Sequence, residues 1–160
     1  MSSRTGIGVD VHPLVFGRDL VLGGVSVEFE KGLFGHSDGD VLVHAMIDAL
    51  LGAAGLGDIG THFPSGDSRF EGIASTDLLR QTVGLVAAGG WQATYVDATI
   101  IAERPILGPS IPQIQANLAT HLTLDRTLVN VKATTTDGLG FTGRGEGIGA
   151  LCVATLEPSQ

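Results

Sequence analysis

Residues 39–56 constrain this chain more than any other stretch. Only Asp40, His44 and Asp48 are polar there. The pattern predicts a helix, with Ser37 or Asp38 to cap its start. At about 100° per residue the three polar side chains share a stripe roughly 80° wide. Leu42, Met46, Ala49, Leu50 and Ala53 fall opposite, and Leu51 intrudes on the polar stripe. A helix this apolar around its circumference is largely buried. Its imidazole and carboxylates then need partners, such as a metal or carboxylates that orient the imidazole.

The remaining segments supply what can bury it. Residues 6–12 and 19–27 read as short strands, with Gly23-Gly24 as a turn. Residues 28–37 read as a loop, and 57–74 as a longer loop of the kind that is usually functional or mobile. A second helix is predicted over 76–88, opened by Ser75 and closed by Gly89-Gly90. Residues 91–102 read as a strand, Pro109 or Ser110 opens a helix to about residue 121, and strands follow at 128–134 and 148–156. Helices alternating with strands give an α/β or α+β class in two layers. With 160 residues, one domain spanning 1–160 is expected.

Charge and cysteine usage exclude several partners. Lys plus Arg number 9 against 17 Asp plus Glu, a net charge of −8. Such a chain has no electrostatic footprint for nucleic acid or an anionic membrane. Any phosphate it binds must meet metal ions, backbone N–H groups or a few placed cations. The lone cysteine, Cys152, excludes an internal disulfide, sits in an apolar run as a core filler, and suits a reducing, cytoplasmic setting. No signal region is read in the first residues, and no run of 18 apolar residues predicts a membrane span.

Asp10-Val11-His12 places two ligand types on one strand face, because residues i and i+2 point the same way. Val11 is expected to face a core on the other side, and Pro13 to end the ladder. Asp10, His12 and His44 together make three N/O ligands, the set that catalytic zinc takes with a fourth position open. A core histidine bonded to a carboxylate remains the alternative at this point. His36 to Asp40 reads either as an anion site at a helix N-terminus or as a capping turn. Asp58-Ile59-Gly60 and Phe63 to Asp67 can hold substrate hydroxyls or simply form turns. Lys132 to Asp137 ends a strand with hydroxyls suited to phosphate and a carboxylate suited to Mg²⁺. The glycine-rich stretch 137–147 matches neither a Walker loop nor a dinucleotide fingerprint.

Taken together, Gly8 to His12, His36 to Val41, His44, Leu50 to Ala54, Leu56 to Gly60 and Val131 to Gly147 resemble the 2-C-methyl-D-erythritol 2,4-cyclodiphosphate synthase family, in order and over about residues 6–157. The resemblance implies a homotrimer. Each subunit would set a mixed sheet toward the threefold axis and helices outside, with active sites between adjacent subunits. It implies intramolecular phosphoryl transfer: in 4-diphosphocytidyl-2-C-methyl-D-erythritol 2-phosphate, the 2-phosphate attacks the β-phosphorus and CMP leaves. Carried over by position, Asp10, His12 and His44 are zinc ligands, and His36 and Thr135 stabilise the transition state. Asp10, His12 and His36 also border the substrate, while Ser37, Asp58, Ile59, Gly60, Phe63 and Asp67 wall the methylerythritol phosphate. Ala102, Ile106, Leu107, Gly108, Thr134, Thr135, Thr136 and Asp137 form the cytidine diphosphate side. Asp137 is expected to serve a second cation, Mg²⁺ or Mn²⁺, that bridges the diphosphate. Phe141 and Arg144 match ligand or axial-cavity positions, and that cavity is expected to accept an isoprenoid diphosphate. The chain departs from the family pattern at Asp137 (usually Glu), Ile106 (commonly Lys) and Ser65 (usually Asp). A zinc phosphodiesterase and a non-catalytic trimeric binder of isoprenoid phosphates are the competing readings.

Overall fold

The computed structural model describes residues 2–160. Strand β1 (Arg4–Phe16) is followed by a hairpin of β2 (Leu20–Leu22) and β3 (Val25–Val27), then β4 (Lys31–Leu33). Helices α1 (Val41–Ala54), α2 (Ile59–His62) and α3 (Ser75–Ala88) lead into β5 (Trp91–Ile101). Helix α4 (Ile111–Leu122), β6 (Val129–Thr134), α5 (Gly140–Gly143) and β7 (Gly147–Pro158) complete the chain. Among the described residues the main sheet has five strands in the order β4-β1-β7-β5-β6. Only β5 and β6 pair in parallel, because α4 crosses over between them. This is the mixed α/β arrangement expected from the pattern.

Helix α1 is the centre of the core, with Val41, Leu42, Val43, Ala45, Met46, Ile47, Leu50 and Leu51 buried. It lies on β1 and β7 and packs against α3. Its approach to β1 is extremely close. A Cβ at Gly8 would stand 1.8 Å from the carbonyl oxygen of Ala45, and one at Gly6 2.1 Å from that of Ala49. The absent side chains thus set the helix-to-sheet distance.

The cap of α1 is Asp40, not Ser37 or Asp38. Its carboxylate accepts from Val43 N (3.1 Å), Gly23 N (3.0 Å) and Gly24 N (2.7 Å). One buried side chain therefore caps the helix and ties the β2–β3 turn to it. Both turn glycines have positive φ, 60° and 73°, as a tight hairpin requires. Burial, with the Asp38 charge nearby, raises the Asp40 pKa to about 6 against the opposing pull of those N–H groups. Of the two readings of His36 to Asp40, the structure shows the capping turn, with the chain's own carboxylate at this N-terminus.

Four further expectations need correction or completion. Pro13 is the last residue paired with β7, so it does end that ladder, but it does not end β1: its carbonyl accepts from Phe34 N at 2.9 Å, and the strand continues onto β4. Residues 28–37 accordingly contain β4 rather than loop alone. Ser75 is the first residue of α3 and does not cap it; Ala74 precedes the helix without a side-chain cap. Val11 does point away from Asp10 and His12, but onto an open face rather than into a core. Helices cover one side of the sheet, leaving Ile7, Val9, Val11, Leu151 and Val153 exposed on the other, Ile7 at 63%. Short helical turns also interrupt the two long loops, at Ile59–His62 and Ser68–Phe70 in the first and Gly140–Gly143 in the second. Cys152 is buried as expected, which pushes its thiol up to about 12.

Two glycine substitutions should change stability in opposite directions. Gly8→Ala forces the α1 backbone off the sheet and should cost about 3 kcal/mol. Gly84→Ala, on the exposed side of α3 where nothing lies within 4 Å of an added methyl group, should add about 0.5–1 kcal/mol. Urea unfolding midpoints of the two variants check both signs.

Candidate active site

The close seating of α1 on β1 brings His44 down onto Asp10 and His12. Asp10 Oδ2 lies 2.7 Å from His12 Nε2 and 3.1 Å from His44 Nδ1, and the two ring nitrogens are 3.1 Å apart. The far side of His12 is fixed by the backbone, since Nδ1 donates to the Phe34 carbonyl at 2.7 Å. That bond leaves Nε2 with a lone pair. A lone pair and a carboxylate oxygen 2.7 Å apart repel unless a cation or an extra proton stands between them. The donor set is the one that divalent zinc-type ions prefer. Burial pushes the Asp10 carboxyl up, but the hydrogen bonds and charges of His12 and His44 outweigh it and hold the pKa at about 2. Burial pulls His12 down, and the bond and charge of Asp10 more than reverse this, so its pKa is raised.

The triad opens onto a cavity of about 300 Å³ that is also lined by His36, Ser37, Ile59, Gly60, Phe63, Ser65, Phe70 and Leu78. Residues from the first long loop thus wall the side opposite the strand. His36 Nε2 donates to the Asp67 carbonyl at 3.0 Å, which ties the loop over the triad. The Asp67 carboxylate turns to Arg69 at 2.6 Å, and that pairing holds its pKa at about 2. Asp58 caps α2 by accepting from Thr61 N (2.9 Å) and Thr61 Oγ1 (2.7 Å). Neither acidic side chain lines the cavity, whereas Ser37, Ile59, Gly60 and Phe63 do.

A second cavity of about 210 Å³ collects Ala102, Ile106, Leu107, Gly108, Thr134 and Thr135, with Glu103, Pro105 and Ala133. Ile106 is 83% exposed at its rim. Thr136 donates to the Leu139 carbonyl at 2.6 Å instead of lining it. Asp137, at φ 53°, is exposed and its N–H reaches Thr135 Oγ1 at 3.2 Å. Phe141 is exposed, and Arg144 pairs with Glu146 at 3.1 Å. Lys132 pairs with Asp97 on the open sheet face. The strand register aligns Asp10, Ala150, Ile100 and Ala133 in one row. The two cavities therefore lie at the same end of the sheet, three strands or about 14 Å apart.

Three features of the site escaped the sequence pattern. The His44 ring is oriented by Ser37 and Ser75, at 3.0 and 2.9 Å from Nε2, and not by Asp40 or Asp48 on its own helix. Asp48 instead accepts from Ile59 N at 2.7 Å and anchors α2. Glu103 places one carboxylate oxygen, buried and without a hydrogen-bond partner, in the wall region of the second cavity. No local spacing signals contacts across such sequence distances.

The pattern of one known family covers nearly the whole of this chain, residues 3–157. The chain belongs to the YgbB family. It is 58% identical over 154 residues to a protein of Desulfatibacillum aliphaticivorans named 2-C-methyl-D-erythritol 2,4-cyclodiphosphate synthase, covering 96% of this chain and 99% of that protein. Among solved structures, the bifunctional IspDF of Campylobacter jejuni superposes with a TM-score of 0.95 at 43% identity. That match covers 98% of this chain but only 42% of the longer bifunctional one. The CDP complex of Plasmodium falciparum IspF superposes with a TM-score of 0.87 at 31% identity, covering 99% of this chain and 98% of that one. Family membership extends through both cavities.

Because three acceptor atoms converge, a divalent cation should stabilise the folded protein. At 100-fold above its dissociation constant the gain should be about 2.7 kcal/mol. Melting curves of chelator-stripped protein with and without the cation check this, and His12→Ala should abolish the difference.

Proposed function

We propose that this chain, as one domain, cyclises 4-diphosphocytidyl-2-C-methyl-D-erythritol 2-phosphate to 2-C-methyl-D-erythritol 2,4-cyclodiphosphate. An oxygen of the 2-phosphate bonds to the β-phosphorus, the bond from that phosphorus to the bridging oxygen breaks, and CMP leaves with the bridging oxygen. The convergence of Asp10, His12 and His44 in a cavity walled by His36 and Phe63 carries this reading for a chain of this family. The nucleophile is already an anion, so positioning and charge neutralisation suffice and no strong base is needed. A zinc ion held by the triad supplies positive charge to phosphate oxygens at the reacting centre. His36 adds a hydrogen bond there, and Thr135 would do so from the second cavity of a neighbouring subunit. Ser37, Ile59, Gly60 and Phe63 hold the methylerythritol phosphate, with Asp58 and Asp67 shaping the loop around it. The second cavity takes the cytidine diphosphate, and Asp137, bonded to Thr135, serves Mg²⁺ or Mn²⁺ through its exposed carboxylate.

The same geometry supports a homotrimeric assembly. One substrate must reach both phosphate and cytidine subsites, and within a single chain these stand about 14 Å apart across the sheet. The exposed apolar face around Ile7, Val9 and Leu151 is the surface a soluble monomer rarely shows. A homotrimer packed through these faces would place the first cavity of one subunit beside the second cavity of its neighbour. Phe141 and Arg144 would then approach the threefold axis, where an isoprenoid diphosphate is the fitting ligand. A cytoplasmic setting suits the buried thiol of Cys152, and no described helix is long and apolar enough to cross a membrane.

Incubation with the proposed substrate and Mg²⁺, with and without chelator, tests the reaction. CMP release and a cyclic diphosphate in the phosphorus spectrum are expected. CMP with an open-chain product would indicate a phosphodiesterase, and no CMP a binding protein. His44→Ala should lose bound zinc and lower kcat/KM by roughly 100- to 1,000-fold while the fold persists. Full turnover without bound metal would refute the ligand assignment. Asp137→Ala should raise the Mg²⁺ needed for half-maximal rate and leave zinc content intact, as activity titrations and metal analysis will show.

A further inference from the structure

Only one ring nitrogen of His44, Nδ1, faces Asp10 and His12. A neutral imidazole carries one proton, so Nδ1 offers a lone pair only if Nε2 holds that proton. Nε2 meets Ser75 Oγ at 2.9 Å and Ser37 Oγ at 3.0 Å. Hydroxyls both donate and accept, so these contacts alone leave the tautomer open. Asp38 fixes the direction of the Ser75 contact, because an ionised carboxylate only accepts. Its Oδ1 takes the Ser75 hydroxyl proton, while Oδ2 accepts from Ser75 N at 3.0 Å. With its single proton committed to Asp38, Ser75 Oγ can meet His44 only as an acceptor, and so favours a proton at Nε2 against the pull of the Asp10 carboxylate 3.1 Å from Nδ1. Ser75 is 0% exposed, so bulk water does not compete for these bonds.

We infer that the Asp38–Ser75 pair is a positioning device that holds the proton on His44 Nε2 and so turns the Nδ1 lone pair toward the metal. The inference rests on the metal reading of the triad. It also links that ligand to the loop over the cavity. Ser75 follows this loop directly, Asp38 N donates to the Ile73 carbonyl at 3.1 Å, and Gly72 N donates to the His36 carbonyl at 2.9 Å. His44 is thus set correctly only when the segment that covers the site is docked.

The test uses two variants and two measurements on the whole protein. Ser75→Ala removes the relay. Asp38→Asn keeps its size but offers an amide donor to Ser75, freeing the hydroxyl proton to point at His44. Nitrogen-15 spectra of the metal-free protein report which His44 nitrogen is protonated, and competition against a chromophoric chelator reports zinc affinity. The wild type should show the Nε2–H form, Ser75→Ala a mixture, and Asp38→Asn a shift toward Nδ1–H. Zinc affinity should fall about 10- to 100-fold in both variants, and Ser75→Thr, which keeps the hydroxyl, should recover it. A merely structural role would lower metal-free stability without moving the tautomer. Wild-type protein in the Nδ1–H form overturns the proposal whether or not the variants fold. So does an unchanged tautomer and zinc affinity in whichever variant folds. Wild type that binds no zinc would sink the metal reading instead, and the tautomer of the metal-free protein would still decide the relay.

Discussion

The contact of α1 with β1 through Gly6 and Gly8 is the constraint on which the site depends. Backbone meets backbone there, with no side chain to act as a spacer. Asp10 and His12 continue the same strand face by two and four residues beyond Gly8, so they reach the helix at the level of His44. A sheet held further off by ordinary side chains would leave the three ligand atoms too far apart to share an ion. The apolar surroundings of α1 then lock the helix in rotation, since turning it would swap buried Leu and Ile side chains for His44 and Asp48.

Acidic residues near this contact do different work, and their environments explain how. Asp10 stands against two imidazoles that keep its pKa at about 2, so it is a fixed negative charge. Asp40 receives backbone N–H groups from two elements and is fully enclosed, and its role is to join hairpin and helix. Asp38 is bonded at both oxygens to Ser75 and spans from the start of α1 to the start of α3. Three carboxylates of one chemical type thus face two imidazoles, a turn and a buried hydroxyl according to which donors the fold brings to them.

That division marks how far the sequence could be read. The apolar helix, its covering sheet and the Asp10-His12-His44 set were legible, because strand alternation and helical spacing are local rules. The β2–β3 turn was legible from Gly23-Gly24. The cap of α1 was not, because Ser37, Asp38 and Asp40 all qualify chemically and the choice is made by the distant N–H groups of the hairpin. Pro13 ends one ladder but not the strand, because a proline can stay in a strand where its partner strand changes and its missing N–H is not needed. Val11 misled because alternation gives the opposite side but says nothing of whether that side is covered. Ser75 reads as a helix start, which it is, yet its hydroxyl serves a histidine 31 residues away.

The net charge of −8 gives the site its electrostatic logic. A substrate carrying three phosphate groups must enter a region that already contains Asp10, Asp38 and Asp40. The usual compensation from a helix N-terminus is offset, because the Asp40 carboxylate caps α1 through Val43 N and sits against its positive end. Arg69 and Arg144 are paired with Asp67 and Glu146, and Lys132 with Asp97, so three of the chain's cations are already matched by carboxylates. Positive charge can then be imported as a metal ion, and Asp10, His12 and His44 form a group that could hold one. On the proposed function, dependence on divalent cations is a consequence of the charge distribution of the whole chain, as much as of the three residues that could hold the ion.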